Sequence, residues 1–166
     1  MAPDKAAAES LWRFSLMVYS RPGISAALIG LQDCGGHNVN LILYGLWLAI
    51  CGGRRLDAAG VTRARRAIAE LDQAVVAPLR RLRRELKTAR DPDIQEMRRR
   101  VLALEITAER GVQARLAAKL PRRRGAEPGN RAALAAANLR LILGADFDAP
   151  EGDVLRQVIA GFFPPS

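Results

Sequence analysis

The residue types best suited to chemistry lie in one short polar segment between two apolar stretches. Histidine, cysteine and carboxylate side chains supply many of the general bases, nucleophiles and metal ligands of proteins. The segment holds the only histidine of the chain and four other polar or reactive residues: Asp33, Cys34, His37, Asn38 and Asn40. These residues are candidates either for a ligand site or for a hinge between helices.

Metal binding would need more ligands than this segment offers. Asp33 and His37 are four residues apart, which would suit one face of a helix, but Gly35 and Gly36 interrupt a helix there. A zinc site has four ligands, and only Cys34 provides another soft donor nearby. We therefore predict no metal and no cofactor.

Catalysis lacks a complete set of partners as well. The sequence has no GxSxG nucleophile motif. Cys34, three residues before His37, is one alternative, because thiols at helix termini can be reactive. The simpler hypothesis is structural: Asp33 and Asn40 cap or bridge two helices, while His37 forms a hydrogen bond. We predict no catalytic residue, which favours a protein without enzymatic activity.

Length and composition indicate one cytoplasmic domain. With 166 residues, 49% of them hydrophobic, the chain can bury a continuous core. Cys34 and Cys51 lack CxxC spacing and are predicted to be small buried residues, which favours a reducing compartment. The N-terminus has no apolar segment typical of a signal peptide. The longest apolar run, residues 39–51, is shorter than the roughly 20 residues of a membrane span. We predict that it is a buried central helix.

Helical periodicity runs through the chain, and no segment alternates with the period of a strand, so the predicted fold class is all-α. We expect a single-domain bundle of about six to seven helices over residues 1–166. Its predicted parts are apolar N-terminal helices (10–53), a long antiparallel basic amphipathic hairpin (57–120), a basic loop (121–129) and C-terminal helices (130–166).

The two hairpin helices carry apolar seams close to a heptad repeat, along which they are expected to pack. Pro78 predicts a kink or short break near residues 74–78, across which the seam keeps its phase. The first seam consists of Val61, Ala64, Ile68, Leu71, Val75, Leu79, Leu82 and Leu86. The second consists of Ile94, Met97, Val101, Leu104, Ala108, Val112, Leu116 and Leu120.

Positive charge is concentrated in the hairpin and the loop that follows it. The net charge is +9, and residues 54–124 hold 20 Lys or Arg against 9 Asp or Glu. Arginine supplies 23 of the 26 basic residues, a usage that a GC-rich bacterial genome would produce without any role in phosphate binding. The candidate contacts for an anionic partner are Arg80, Arg83, Arg84, Arg98, Arg99, Arg100, Arg122, Arg123 and Arg124.

Glu105 and Glu109 lie four residues apart on the second hairpin helix, where they could meet the arginines of the first. We predict an interhelical ion-pair network that fixes the register of the hairpin. A di-metal carboxylate site would also need Glu-x-x-His partners, which the sequence lacks.

Three segments carry a resemblance to a known family. They are LWRFSLMVYSRPGISAALIGLQDCGGHNVNLILYGLWLA from Leu11 onward, PLRRLRRELK (Pro78–Lys87) and LEITAER (Leu104–Arg110). Together they resemble an uncharacterised proteobacterial family of small helical proteins, known only as a domain of unknown function. The resemblance covers roughly residues 10–120 and not the tail from Pro121. It implies a helical fold and no particular activity.

Protein docking is the favoured function, because helical seams and a charged hairpin are present while catalytic motifs are missing. The partner would be another protein or a second copy of the chain. One alternative is a bundle that binds a small apolar ligand, with Asp33, His37, Asn38 and Asn40 at its polar end. A large cavity beside Asn40 would favour this alternative, and a closed core would oppose it. Another is non-specific nucleic-acid binding through the arginines, although no helix-turn-helix, zinc-finger or RRM motif is present.

Overall fold

The computed structural model describes residues 5–120 and 130–163, which form helices joined by short turns and contain no strand. A π-helical turn, Asp72–Val76, joins two helices, α4 (Ala58–Leu71) and α5 (Ala77–Glu85), into one rod. Counted with that rod as one, the described residues form seven helices, and the all-α prediction is confirmed. The helices are α1 (Lys5–Tyr19), α2 (Ile24–Asp33), α3 (Val39–Ile50), α4 (Ala58–Leu71), α5 (Ala77–Glu85), α6 (Pro92–Ala117), α7 (Arg131–Leu143) and α8 (Asp153–Phe162).

Helix α3 forms the centre of the bundle. Every residue from Val39 to Ala49 is buried, which confirms the central helix predicted from the apolar run. α3 packs most extensively against α7, and Gly45 permits the close approach, because a Cβ there would lie 2.5 Å from Cδ1 of Ile142. α1, α2 and α6 also contact α3. The hydrophobic effect of this burial therefore holds the N-terminal, hairpin and C-terminal helices on one core.

Side chains cap the start of two helices. The side chain of Asn38 accepts the N–H of Leu41 at the start of α3, and that of Asp91 accepts the N–H of Asp93 at the start of α6. Asn130 accepts no such hydrogen bond at the start of α7. Its backbone ψ of 19° differs from the extended conformation that an N-cap residue normally adopts.

The predicted break near Pro78 is the π turn. The N–H of Ala77 bonds to the carbonyl oxygen of Asp72, five residues back, so the turn accommodates one extra residue. Pro78 follows it at the start of α5, where its missing N–H costs least. One extra residue rotates α5 by about 100° relative to α4. The rod therefore continues, but its faces change.

The apolar seam does not keep its phase across the π turn, contrary to the prediction. Val76 is fully buried, whereas Val75 and Leu82, which belong to the predicted seam, are exposed. Arg80 and Arg83 instead lie on the half-buried side of α5. The rotation of α5 explains the change, because it moves the leucine seam toward solvent and brings the arginines to α6.

The prediction of a buried seam on α6 is also wrong for the N-terminal half of that helix. Val112 and Leu116 are buried as predicted, but Met97 and Leu104 are 59% and 58% exposed. Glu105 takes the inward position and is only 3% exposed. Glu105 can be buried because Arg80 and Arg83 of α5 donate hydrogen bonds to its carboxylate, at a place where the prediction had an apolar neighbour.

Buried polar side chains connect helices that are distant in sequence. The side-chain oxygen of Asn138 on α7 accepts the N–H of Leu56 (2.8 Å), and its amide donates to the carbonyl oxygens of Gly45 (3.1 Å) and Arg54 (3.0 Å). Asn138 is completely buried. It therefore ties the turn after α3 to α7 and satisfies three backbone groups at once.

Both cysteines are free and exposed, so their predicted burial is wrong. Cys34 and Cys51 directly follow the last residues of α2 and α3, where the chain reaches the surface. Among the described helices, none is by itself long and apolar enough to cross a membrane. α1 and α2 together meet the criteria of length and composition, but they are bent by 106° relative to each other.

Alkaline conditions should weaken the fold through Tyr44. Burial raises the pKa of Tyr44 well above its usual value, and its hydroxyl donates to the carbonyl oxygen of Lys119 at 2.9 Å. The stabilising contribution of the neutral phenol is complete below the unfolded-state pKa of about 10 and is lost as the pH rises toward the folded-state pKa. We expect the thermal midpoint to fall above about pH 10. Y44F should reduce that slope, and an equal slope would contradict the prediction.

Candidate functional site

The polar segment between α2 and α3 folds into a tight hinge. Gly36 has a φ of 66°, in the left-handed region that favours glycine. Gly35 is needed for space, because a Cβ there would lie 2.5 Å from Cδ2 of His37. The N–H of His37 bonds to the carbonyl oxygen of Leu31 at 3.1 Å. The two glycines thus hold the His37 ring against the end of α2.

His37 is paired with Asp146, which follows α7. The imidazole Nε2 lies 2.7 Å from the carboxylate Oδ2 of Asp146, and the carboxylate accepts the hydrogen bond. The His37 side chain is mostly buried and that of Asp146 is about half exposed. This pair connects the hinge to the C-terminal region of the chain and fixes the orientation of the ring.

The other hinge candidates point in different directions. Asp33 accepts a hydrogen bond from Nη2 of Arg84 at 2.9 Å, and this contact lowers the pKa of the exposed Asp33 carboxyl. Asn40 is buried, and its side chain accepts from the amide of Gln113 at 2.9 Å. Cys34 is exposed. Asp33, Cys34 and Asn40 therefore do not converge on His37 as a metal or catalytic set.

A cleft opens beside the hinge, between α3, α4 and the end of α7. Its volume is about 470 Å³. Leu41, Ile68 and Ile142 form an apolar floor. Polar walls surround this floor and consist of His37, Asn38, Arg65, Asp72 and Gln73. The cleft thus has the size and the mixed lining of small-molecule sites.

Asp72 connects this cleft to a smaller cavity of about 120 Å³. It is the first residue of the π turn. Its Oδ1 atom is buried without a hydrogen-bond partner among the described residues. Asn40 lines the smaller cavity and not the cleft. The polar end predicted for a ligand site thus differs from the cleft wall, which contains Asp72 and lacks Asp33 and Asn40.

The described residues contain no group of three or more His, Cys, Asp or Glu side chains placed to hold a metal ion. The His37 and Asp146 pair has no serine, threonine or cysteine among the residues that line the cleft. The arrangement can therefore bind and orient a ligand, and its described lining offers no hydroxyl or thiol group for covalent catalysis.

The charged cluster of the hairpin is built on Glu105. Its carboxylate accepts hydrogen bonds from Arg80 (3.2 Å) and Arg83 (2.5 Å), and Arg80 also donates to Glu109 at 2.7 Å. Burial raises the pKa of Glu109, although Arg80 opposes that shift. The two glutamates and two arginines therefore form an ion-pair network between α5 and α6.

The remaining arginine candidates in the described part of the chain also have intramolecular partners. Arg84 pairs with Asp33, and both Arg99 and Arg100 pair with Glu96. Arg98 donates to the backbone oxygen of Arg83. These contacts reduce the charge available to a phosphate group. The basic loop 121–129, with Arg122, Arg123 and Arg124, lies outside the described residues.

An exposed apolar strip runs along one side of the hairpin. Leu82 and Leu104 each precede one partner of the ion pair between Arg83 and Glu105. In two antiparallel helices, residues one position before a facing pair project to the same side. Met97, seven residues before Leu104, lies two turns away on that side of α6. We call Leu82, Met97 and Leu104 the hairpin strip; they are 41%, 59% and 58% exposed.

The aromatic residues of α1 and α3 differ in exposure. Phe14 and Trp47 are buried, and Trp12 is partly covered by the guanidinium of Arg110, 5.1 Å from the ring centre. Tyr19, on α1 and therefore on neither helix of the hairpin strip, is 40% exposed. Sequence reasoning missed Asp72 and Gln73 as cleft residues and Asp146 as the partner of His37. Asp72 could have been suspected as a carboxylate just before Pro78, at the predicted break, but Asp146 and Gln73 have no recognisable signal in the sequence.

Comparison with known proteins adds a family but no activity. A family model described as "Protein of unknown function (DUF2390)" matches residues 10–116. No curated protein and no solved structure shows a significant match. The matched range contains the hinge, the π turn and the α5–α6 hairpin up to Leu116, and it ends before Asp146.

Proposed function

We propose that this chain, which belongs to the DUF2390 family of proteins of unknown function, is a non-enzymatic docking module that binds a helix of another protein. The observation that supports the proposal is the hairpin strip. Three large apolar side chains of two neighbouring helices are exposed on one side of the hairpin, and Met97 and Leu104 are the most exposed of the large apolar side chains in the described residues.

Helical spacing indicates the shape of the partner. The strip residues belong to heptad-like seams, and such seams normally pack against another helix. An amphipathic helix laid along the hairpin would bury Leu82, Met97 and Leu104. At about 25 cal/mol per Å² of apolar surface, burial of these side chains would supply several kcal/mol toward binding.

Charge favours an acidic partner over a second copy of the chain. Residues 54–120 hold 17 Lys or Arg and 9 Asp or Glu, a net charge of +8. Two such hairpins would repel each other, whereas an acidic helix would be attracted. We therefore propose an amphipathic helix with an acidic polar face as the partner, and homodimerisation is the competing arrangement.

A synthetic amphipathic helix provides a direct test. The probe has leucine at its heptad seam positions and glutamate on its polar face, and its binding is followed by fluorescence anisotropy. We expect L104E to weaken binding by about tenfold, since a buried leucine contributes roughly 1.5–3 kcal/mol. Leu141 on α7 is 42% exposed and lies outside the strip, so L141E is the matched control.

Several outcomes would contradict this function. Equal effects of L104E and L141E would exclude the strip as the docking surface. Tighter binding of a peptide with lysine in place of glutamate would exclude an acidic partner. A concentration-dependent dimer in sedimentation experiments, abolished by L104E, would assign the strip to self-association. If the protein bound RNA in a salt-sensitive manner and L104E had no effect on that binding, the result would favour nucleic-acid binding through the arginines over protein docking.

A further inference from the structure

We infer that the cleft beside the α2–α3 hinge is a binding site for a small organic ammonium ion with an apolar body, whose positive group is held by Asp72. This site is separate from the hairpin strip and does not depend on the proposed docking function. The inference is based on the unpaired carboxylate of Asp72, the lining of the cleft and the local distribution of charge.

The carboxylate of Asp72 has no hydrogen-bond partner among the described residues, and one of its oxygen atoms is buried away from solvent. Its side chain forms no hydrogen bond or ion pair with the described residues, and Oδ1 is completely covered. An oxygen atom covered in this way has lost contact with water without gaining a hydrogen-bond donor. A small rotation of the carboxylate would let it accept from a ligand in the cleft, which would restore the lost interaction.

The π turn explains why the carboxylate is in this position. Asp72 begins the turn, and its backbone oxygen accepts the N–H of Ala77. π turns replace the regular α-helical pattern and often occur at functional positions. In the α4–α5 rod the turn places Asp72 between the two cavities that adjoin the hinge. The Asp72 side chain thus lines both the cleft and the smaller cavity.

The Asp72 carboxylate has no basic partner among the described residues of the cleft and the smaller cavity. Arg80 lines the smaller cavity, but its guanidinium is bound to Glu105 and Glu109. Arg65 is a basic residue of the cleft wall, but it donates to the carbonyl oxygen of Ile142 at 3.0 Å and forms no ion pair with Asp72. The Asp146 carboxylate adds a second negative charge behind His37. An ammonium group would therefore be attracted to Asp72 by opposite charge and by hydrogen bonding.

The remaining surface specifies the rest of the ligand. Leu41, Ile68 and Ile142 are almost completely buried and form the floor on which an apolar body can rest. The cleft volume of about 470 Å³ falls within the range of known small-molecule pockets. Asn38 and Gln73 on the walls offer amide groups to additional polar atoms. A primary ammonium attached to a ring or a short alkyl chain fits this description.

The single histidine makes the test specific. His37 lines the cleft and the smaller cavity beside it and is the only histidine of the chain, so its imidazole proton signals in NMR spectra report on these two adjoining spaces. The probes are benzylammonium, benzyl alcohol and benzoate, which share a ring and differ in charge. We expect benzylammonium to shift the His37 signals in a saturable manner, with affinity higher than that of the neutral or anionic probe.

Two variants and one control complete the experiment. D72N should weaken benzylammonium binding about tenfold, because it removes the charged acceptor. A69F should fill the cleft and weaken binding by a similar factor even if D72N were poorly folded. D93N changes an exposed aspartate at the start of α6 and should have no effect. Undiminished binding to D72N or A69F would overturn the inference. Equal affinity for benzoate, or no shift with saturating benzylammonium, would overturn it as well.

Discussion

Replacement of Asn138 by alanine is expected to lower the free energy of unfolding by about 3 kcal/mol. The variant removes one acceptor and one amide that together satisfy the N–H of Leu56 and the carbonyl oxygens of Gly45 and Arg54. Asn138 is completely buried, so water cannot readily replace these bonds. A buried group left without its partner costs roughly 1–3 kcal/mol. Urea denaturation should show a lower midpoint with little change in slope.

N130A is the matched control for this prediction. Asn130 is exposed at the start of α7, and its side chain forms no capping hydrogen bond. We expect N130A to change the free energy of unfolding by less than about 0.5 kcal/mol. A loss below about 1 kcal/mol for N138A would show that the turn after α3 is held by packing and not by this amide.

Removal of the Glu105 carboxylate is expected to cost about 3 kcal/mol as well. E105A would leave the half-buried guanidinium groups of Arg80 and Arg83 without their main anionic partner. Glu109 could still accept from Arg80, so part of the network would survive. The loss should appear as a lower unfolding midpoint in urea at neutral pH.

A triple replacement separates the attraction between these charges from the cost of burying them. R80L, R83M and E105L together exchange the cluster for apolar side chains of similar length. Such replacements of buried ion pairs are often neutral or stabilising, so we expect the triple variant to regain most of the loss seen with E105A. A triple variant as unstable as E105A would show that the ion pairs themselves contribute net stability to the hairpin.

Periodicity alone was sufficient to predict most of the helices. The apolar run from Val39 to Ala49 could only be satisfied by burial, and two adjacent glycines, Gly35 and Gly36, marked the break before it. Pro78 likewise marked the irregular turn. These features are local, because they depend on which backbone conformations a few neighbouring residues can adopt.

The seam prediction failed because a regular 3.6-residue repeat was applied across an irregular turn. Pro78 indicates that one helical hydrogen bond is missing, but it does not indicate whether the helix bends or accepts an extra residue. The extra residue rotated everything that follows. Leu82 consequently moved outward, and Arg83 moved toward Glu105.

The candidate site was only partly predictable for a related reason. His37 could be selected because it is the single histidine of the chain. Its partner Asp146 is 109 residues away, and no local pattern connects the two. Asn40 was chosen for its closeness in sequence to His37, yet the helical rotation between them directs it to Gln113 in the core.

The π turn also determines which face of α5 meets α6. Asp72 begins the turn and lines the cleft, and Leu82 lies beyond its other end on the hairpin strip. Conversion of the turn to a regular α-helix would rotate α5 by about 100°, which would turn Arg80 and Arg83 away from Glu105. The ion-pair network and the exposure of the strip therefore depend on the same extra residue.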